Sequence, residues 1–317
     1  MSGLMQRLPG MDSLVPYIGT VLLILGGSVF YPQILGFEYL AQQLQISAFL
    51  GLLALGATLV ILLGHIDLSV PWILGGAAIL STSLAGTGDA VLTALAIPAA
   101  LLFGGLIGIV NGVGVAILRI PSMVWTLAVN SMLLGVAVLN TGGFNPKGEA
   151  SDTMIWLATG QLAGIPAAFL VWMLVAGMMA LVLTRSGFGR YLSAIGYNEK
   201  ATFLSGVSTP SVIFAAFAIA GVCSALGGVL LAGYANQAYQ SMGDPFLLPT
   251  IAAVVIGGTS ILGGRGSLVG TIGGVLFITL LTSILSVMQI SDAWRNITFG
   301  MIIIVMLLLQ TLRRKGA

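Results

Sequence analysis

Long apolar stretches separated by short polar segments constrain this chain more than any other feature. They recur from residue 14 to residue 312, and the mean hydropathy of the chain is +1.10. Residues of the types AVILMFWYC make up 58% of the sequence even before its 44 glycines are added, far above the composition of a soluble domain. A helix of about 20 apolar residues crosses the hydrocarbon core of a bilayer. The pattern therefore predicts an all-α polytopic membrane protein.

The apolar stretches divide into about ten predicted transmembrane segments, and residues 1–317 form one predicted transmembrane domain. Some segments are short, so eight full spans with two partial ones also fit the pattern. The predicted segments are 14–30, 47–63, 72–86, 90–118, 121–140, 164–184, 210–232, 250–262, 268–288 and 294–312.

The distribution of basic residues predicts the orientation of these spans. With a cytoplasmic N-terminus and ten crossings, nine basic residues fall inside and two, Lys147 and Arg295, fall outside, as the positive-inside rule requires. Both termini are then cytoplasmic, and the segments 31–46, 141–163 and 233–249 are predicted to lie on the outer side. The nine inside residues are Arg7, Arg119, Arg185, Arg190, Lys200, Arg265, Arg313, Arg314 and Lys315.

Two short polar or glycine-rich stretches predict interruptions of membrane helices, at residues 64–71 and 257–266. Broken backbone at membrane depth must be buried in protein or line a wet cavity, and one break in each half of a chain is typical of transporters. Candidate pathway residues at the breaks are Asp67, Ser69, Gly257, Gly258, Thr259 and Ser260. Asp67 also fits a second interpretation, in which it caps the following helix with help from Ser69. A packing role for His65 is preferred to proton transfer.

Five polar residues in or beside the apolar stretches are further pathway candidates. They are Asn111, Thr126, Asn130, Asn236 and Gln237. Such groups can bind the hydroxyls of a solute weakly enough to release it, or they can join one helix to another, and both interpretations stay open.

Glycines at intervals of four predict close contact between helices. On a helix this spacing places the glycines on one face, where a neighbouring backbone can approach. Two such sets occur, Gly104, Gly108 and Gly112 in one and Gly266, Gly270 and Gly274 in the other.

A polar stretch from Arg185 to Gly206 lies between two long apolar runs and concentrates charge in a chain with only 6% charged residues. We predict that it is a helical loop that docks a cytoplasmic partner. A solvated loop without a partner is the alternative.

The sequence offers no catalytic chemistry of its own. It has no GxxxxGK[ST] phosphate loop, no Ser/His/Asp set and no His, Cys, Asp or Glu cluster with metal-ligand spacing. We therefore expect a transport protein that is not an enzyme and binds no metal or cofactor. If ATP drives it, a partner subunit hydrolyses the ATP.

Three blocks resemble the permease subunits of bacterial ABC importers for monosaccharides, the ribose, xylose and galactose type. They are Ala54 to Val70 (ALGATLVILLGHIDLSV), Gly187 to Gly206 (GFGRYLSAIGYNEKATFLSG) and Ile251 to Gly274 (IAAVVIGGTSILGGRGSLVGTIGG). The chain departs from the family pattern at His65 and Pro71, where the family has glycine.

The resemblance implies a multi-pass permease domain in a bacterial inner membrane. Its implied partners are an ABC ATPase, a periplasmic sugar-binding protein and a second permease subunit, identical or related, within the lipid bilayer and without nucleic acid. It also implies that residues 185–209 form a cytoplasmic coupling loop. The implied coupling residues are Gly189, Arg190, Ala194, Gly196, Asn198, Glu199, Ala201, Ser205 and Gly206. Leu192, Ile195 and Leu204 are expected to fill a cleft of the ATPase.

Other functions remain as alternatives. A related ABC permease for nucleosides or branched-chain amino acids differs only in its solute. A stand-alone proton-coupled transporter is disfavoured, because Asp67 is the one carboxylate predicted within the membrane. A membrane-embedded enzyme is disfavoured by the lack of catalytic groups.

Overall fold

The computed structural model describes residues 11–144 and 146–315, except for the side chains of residues 11, 12 and 309–315. Arg7 and the side chains of Arg313, Arg314 and Lys315 lie outside this description. The described chain is mostly helical, with one hairpin made of two two-residue strands. Its elements are α1 (Met11–Phe30), α2 (Phe37–Leu62), α3 (Val70–Ala85), α4 (Ala90–Ala116), α5 (Ser122–Thr141), α6 (Asp152–Thr159), β1 (Gln161–Leu162), β2 (Ile165–Pro166), α7 (Ala167–Arg185), α8 (Gly187–Leu204), α9 (Thr209–Ala235), α10 (Leu247–Ile256), α11 (Leu268–Val287) and α12 (Asp292–Lys315).

The predicted all-α polytopic membrane fold is confirmed. Within the described residues, seven helices are long and apolar enough to cross a membrane, namely α1, α2, α4, α5, α7, α9 and α11. Helices α3 and α10 are shorter. With 10 residues, α10 extends about 15 Å, half the thickness of the hydrocarbon core. The helices α6 and α8 are additional to the ten predicted segments.

The second helix is longer than predicted, because polar residues near its beginning find partners inside the protein. The sequence predicted a span from residue 47, but α2 already begins at Phe37. The side-chain amide of Gln43 donates to the Ser283 hydroxyl at 3.0 Å, and that of Gln45 donates to the Ala158 carbonyl at 2.7 Å. Most of the segment predicted as a connection, 31–46, is therefore helical.

Helices α2 and α9 form the centre of the molecule. Of the residues in the membrane-spanning part of α2, 83% are buried, and in α9 67% are buried. The corresponding share is 11% in α1 and 17% in each of α4 and α5. Phe49 and Leu53 of α2 and Phe217 of α9 belong to one continuous apolar core. The outer helices therefore cover a central pair and present their other faces to lipid.

The first glycine set brings α4 directly onto α9. A Cβ atom added at Gly104 would collide with the Gly221 carbonyl oxygen, and one at Gly108 would collide with the Phe217 carbonyl oxygen. Gly112 meets the backbone and ring of Phe214 in the same way. Two helix backbones can approach this closely only at glycine, because its side chain is a single hydrogen atom.

The second glycine set does not lie on one helix face. Gly270 and Gly274 belong to α11 and contact the backbones of Gly257 and Ala253. Gly266 precedes the helix, because the Ser267 hydroxyl accepts the amide of Gly270 and caps α11. The prediction was wrong for Gly266, which packs against Thr259 in the preceding loop.

Candidate functional site

The first helix break, residues 63–69, joins α2 to α3 and is held by the first two turns of α5. The amide of Ile66 donates to the Ser122 hydroxyl at 3.2 Å, and the amide of Leu68 donates to the Thr126 hydroxyl at 2.9 Å. These bonds satisfy backbone groups that hydrocarbon could not satisfy. Thr126, a pathway candidate from the sequence, therefore supports the break.

Asp67 lies in this break and is 7% exposed. Its Oδ1 atom accepts the amide and the hydroxyl of Ser69, and the side-chain amide of Asn111 donates to that hydroxyl at 2.7 Å. The carboxylate does not bond the first-turn amides of α3, whose N-cap residue is Ser69, so the capping interpretation does not hold. The other carboxylate oxygen, Oδ2, has no hydrogen-bond partner among the described residues. Asp67 also borders a small cavity beside Leu247 and Thr250 of α10.

The second break follows the end of α10 at Ile256. Gly257 packs against the backbone of Gly270, so a Cβ at Gly257 would lie 2.6 Å from the Gly270 carbonyl carbon. The amide of Ser260 donates to the Arg265 carbonyl at 2.9 Å and closes the loop. Gly258 adopts a left-handed backbone within this loop, with φ of 87°. Thr259 is fully buried in it.

The two breaks contact each other. The amide of Gly264 donates to the Leu62 carbonyl at 2.9 Å, and a Cβ at Gly263 would lie 2.8 Å from the amide nitrogen of Gly64. The segment between α9 and α10 contacts the first turn of α3, directly after the first break, because Gly243 packs against the Pro71 carbonyl. Sequence reasoning treated the breaks separately and did not predict this contact.

The surface helix α8 lies on the junction of the two breaks. Its residue Gly196 fits between the Leu62 carbonyl oxygen and the Gly264 amide nitrogen, where a Cβ would collide with both. The neighbouring Tyr197 hydroxyl accepts a hydrogen bond of 2.7 Å from Arg265, whose guanidinium also lies 5.8 Å from the tyrosine ring centroid. At Gly196, α8 therefore packs against the end of α2 and the second break at one point.

A kink divides α8 into two helical parts at Asn198. The backbone there is extended, with φ −161° and ψ 99°, and the Asn198 side-chain oxygen accepts the Ala201 amide at 3.0 Å. Asn198 therefore caps the second part. The Glu199 carboxylate pairs with the Arg119 guanidinium of the α4–α5 turn and lies 3.4 Å from the Thr209 hydroxyl. The sequence assigned Glu199 to an external partner and did not predict its contact with Arg119.

The residues assigned to coupling, which lie in α8 and in the two positions after it, differ in exposure. Arg190, Asn198, Ala201, Ser205 and Gly206 are exposed, whereas Gly189 is buried and Ala194 and Gly196 are half-buried.

The expectation for the apolar residues of α8 was partly wrong. Leu192 is fully buried and Ile195 is 3% exposed, because both pack into the core of this chain rather than facing outward. Leu204 is 84% exposed, and Phe203, which sequence reasoning missed, is 59% exposed.

The remaining pathway candidates lie away from the junction. Asn130 follows Thr126 by one helical turn on α5, and its side-chain oxygen has no partner among the described residues. Asn236 directly follows the last residue of α9, and the Asn236 carbonyl accepts a hydrogen bond of 3.0 Å from the Ala150 amide. Gln237 pairs with Glu149 in an isolated β-bridge. In the part of the chain that the structure describes, no group of His, Cys, Asp or Glu has the arrangement of a metal site.

The helices and the two joined breaks define a multi-pass membrane protein of the permease class. Residues 39–307 match the family described as branched-chain amino acid transport system / permease component, and the chain belongs to this family. It is 31% identical to the ribose import permease protein RbsC of Haemophilus influenzae over 92% of this chain and 91% of the relative. It is 33% identical to RbsC of Bacillus subtilis over 97% and 94%, respectively. It is 34% identical to the autoinducer 2 import system permease protein LsrC of Escherichia coli over 87% and 80%. No solved structure matches the chain.

Proposed function

We propose that this chain is the membrane-spanning subunit of an ABC importer and forms the pathway for a small sugar. The observation that carries the proposal is the position of α8, whose Gly196 contacts both helix breaks while its opposite face is exposed. A surface helix of this kind can transmit a movement of a partner to interrupted backbone in the membrane.

The exposed face of α8 supports a protein partner. Arg190 offers a charge, and Phe203 and Leu204 offer apolar surface that is 59% and 84% exposed. Exposed aromatic and arginine side chains are enriched in protein–protein interfaces. We assign this face to the ATPase subunit, which binds and hydrolyses the ATP. This face and both termini would then lie in the cytoplasm of a bacterial cell, with the protein in the inner membrane.

The groups at the first break support an uncharged solute that carries hydroxyls. Thr126, Ser69 and Asn111 are neutral, and the Oδ2 atom of Asp67 is an acceptor without a protein partner among the described residues. A sugar hydroxyl can donate to such an oxygen, whereas the first break contains no Lys or Arg to bind the carboxylate of an amino acid. The names of the relatives, which concern ribose and autoinducer 2, favour the sugar over the branched-chain amino acids of the family description.

The proposed assembly contains two permease subunits, identical or related, together with the ATPase and a periplasmic binding protein that delivers the solute. Reconstitution tests it. Proteoliposomes that hold all four components should take up labelled ribose when ATP is enclosed, and excess leucine or uridine should not compete. Competition by leucine or by uridine would instead support an amino-acid or a nucleoside permease.

A second reconstitution separates this proposal from a stand-alone transporter. Proteoliposomes that contain only this chain should show no uptake under a proton gradient. In the proposal, transport requires ATP hydrolysis by the ATPase subunit, which acts through α8. Uptake by the lone chain would contradict the proposal.

A further inference from the structure

An apolar groove on the membrane surface of the molecule lies between α7 and α9, with α2 behind it. Leu59, Met179 and Cys223 form its buried floor, and Met178, Val182 and Val222 form its exposed rim. The cavity has a volume of about 400 Å³, and every residue that lines it is apolar apart from the thiol of Cys223. Phe188, near the beginning of α8, also lines the groove, and no residue of either helix break does.

The groove is elongated along the helices and ends beside a cation. On α7 it extends from Val175 to Leu183, which is about 12 Å along a helix. Arg185, the last residue of α7, follows two positions after Leu183, and its side chain is exposed. The groove therefore has an apolar body within the membrane and a positive charge at one end.

No carboxylate of the described chain neutralises this charge. Between residues 167 and 235 the sequence has three basic residues, Arg185, Arg190 and Lys200, and one acidic residue, Glu199. Glu199 pairs with Arg119. Arg185 forms no ion pair within residues 11–144 and 146–315.

We propose that the groove binds one acyl chain of an anionic phospholipid, whose phosphate pairs with Arg185. The apolar lining of the groove disfavours a polar ligand. Its length of about 12 Å along α7 suits a hydrocarbon chain. An arginine near the surface attracts an anionic headgroup, and a guanidinium pairs well with phosphate. A protein partner in the aqueous phase could use Arg185 but could not fill a groove that lies between two apolar helices of membrane-spanning length. The site is independent of the transported solute.

Lipid titration of the purified full-length chain, followed by native mass spectrometry, tests the proposal. Phosphatidylglycerol and phosphatidylcholine with the same acyl chains are compared. The wild type should prefer phosphatidylglycerol by about fivefold, as expected for one arginine near a membrane surface. Arg185→Gln should abolish this preference and retain the binding of phosphatidylcholine. Met178→Trp should fill the groove and weaken the binding of both lipids. Met178 is 51% exposed, so the larger ring has space and the fold is retained.

Two matched controls should behave as wild type. Lys147→Gln removes an exposed cation elsewhere, and Leu139→Trp enlarges an 84% exposed side chain on α5. A phosphatidylglycerol with a photoreactive acyl chain should cross-link to residues 175–183 and 219–226.

Several results would overturn the proposal. It fails if Arg185→Gln keeps the lipid preference, if Met178→Trp binds lipid as Leu139→Trp does, or if cross-links map to other helices. Loss of a dimer in Met178→Trp, with lipid binding unchanged, would assign the groove to a second copy of the chain. Loss of ATPase association in Arg185→Gln, with lipid preference unchanged, would assign the arginine to the ATPase.

Discussion

The amide of Gly264 donates to the carbonyl of Leu62 at 2.9 Å and so joins the loop after α10 to the end of α2. The two residues are far apart in sequence: Leu62 directly precedes the first helix break, and Gly264 lies in the second. Gly196 of α8 packs against both groups of this hydrogen bond. One backbone contact therefore connects a surface helix to two interrupted segments of the membrane domain.

Replacement of Gly196 by alanine should destabilise the protein and impair transport. The added methyl group would collide with the Leu62 carbonyl oxygen and the Gly264 amide, both of which are backbone groups that cannot rotate away. Overpacking of this kind costs about 1–3 kcal/mol. The measurements are thermal unfolding in detergent and ATP-driven uptake in proteoliposomes. Gly177→Ala is the matched control, because a Cβ there meets no atom within 4 Å. Equal stability and uptake in the two variants would contradict the role given to Gly196.

Replacement of Arg190 by glutamate should weaken association with the ATPase by about tenfold or more, since a reversed charge at an interface opposes binding. Arg190 is exposed and has no ion pair among the described residues, so insertion and folding should not change. Pull-down of the ATPase by the membrane subunit measures the effect. Lys147→Glu serves as the control with the same change of charge. Full association of the Arg190 variant would exclude this residue from the interface.

Two substitutions of Asp67 should separate its structural role from proton coupling. Asp67→Asn retains an oxygen that can accept the Ser69 amide and hydroxyl, and its NH2 group can donate to a sugar hydroxyl in place of Oδ2, so folding and ATP-driven uptake should persist. Asp67→Leu removes the acceptor and leaves buried donors without a partner, which costs about 1–3 kcal/mol. Denaturant unfolding and uptake assays check both results. Abolished uptake in a stable Asp67→Asn protein would show that the carboxylate itself is required.

Replacement of Gly108 by alanine should separate α4 from α9 and lower stability by about 1–3 kcal/mol, because the methyl group would collide with the Phe217 carbonyl oxygen. Gly135→Ala on α5 has open space around the new methyl group and should be neutral or slightly stabilising. The midpoints of thermal unfolding of the two variants provide the comparison. A neutral Gly108→Ala would mean that the helices can move apart freely.

Hydropathy predicted the helical membrane fold, because the spanning stretches are apolar whatever their neighbours are. It did not predict where α2 begins, since Gln43 and Gln45 look like interfacial residues until their partners Ser283 and Ala158 are known. The start of α11 was available from the sequence, because Ser267 is a typical N-cap residue.

The orientation of α8 was also partly available from the sequence. Phe188, Leu192 and Ile195 follow a spacing of i, i+4 and i+7, which places them on one helix face. On this face, Leu192 and Ile195 are buried in the structure. The contact of Gly196 with Leu62 and Gly264 could not be predicted in the same way, because it depends on two distant loops and leaves no periodic pattern.

The burial of α2 has a consequence for how the protein is made. This helix packs against α7, α9, α10 and α11, all of which emerge later from the ribosome. During synthesis α2 must therefore wait in lipid or in the insertion machinery until its neighbours arrive. Its mean hydropathy of 2.1 makes α2 stable in lipid at that stage. In the folded protein, α2 has little contact with lipid. The apolar character of α2 therefore serves the nascent chain as well as the folded protein.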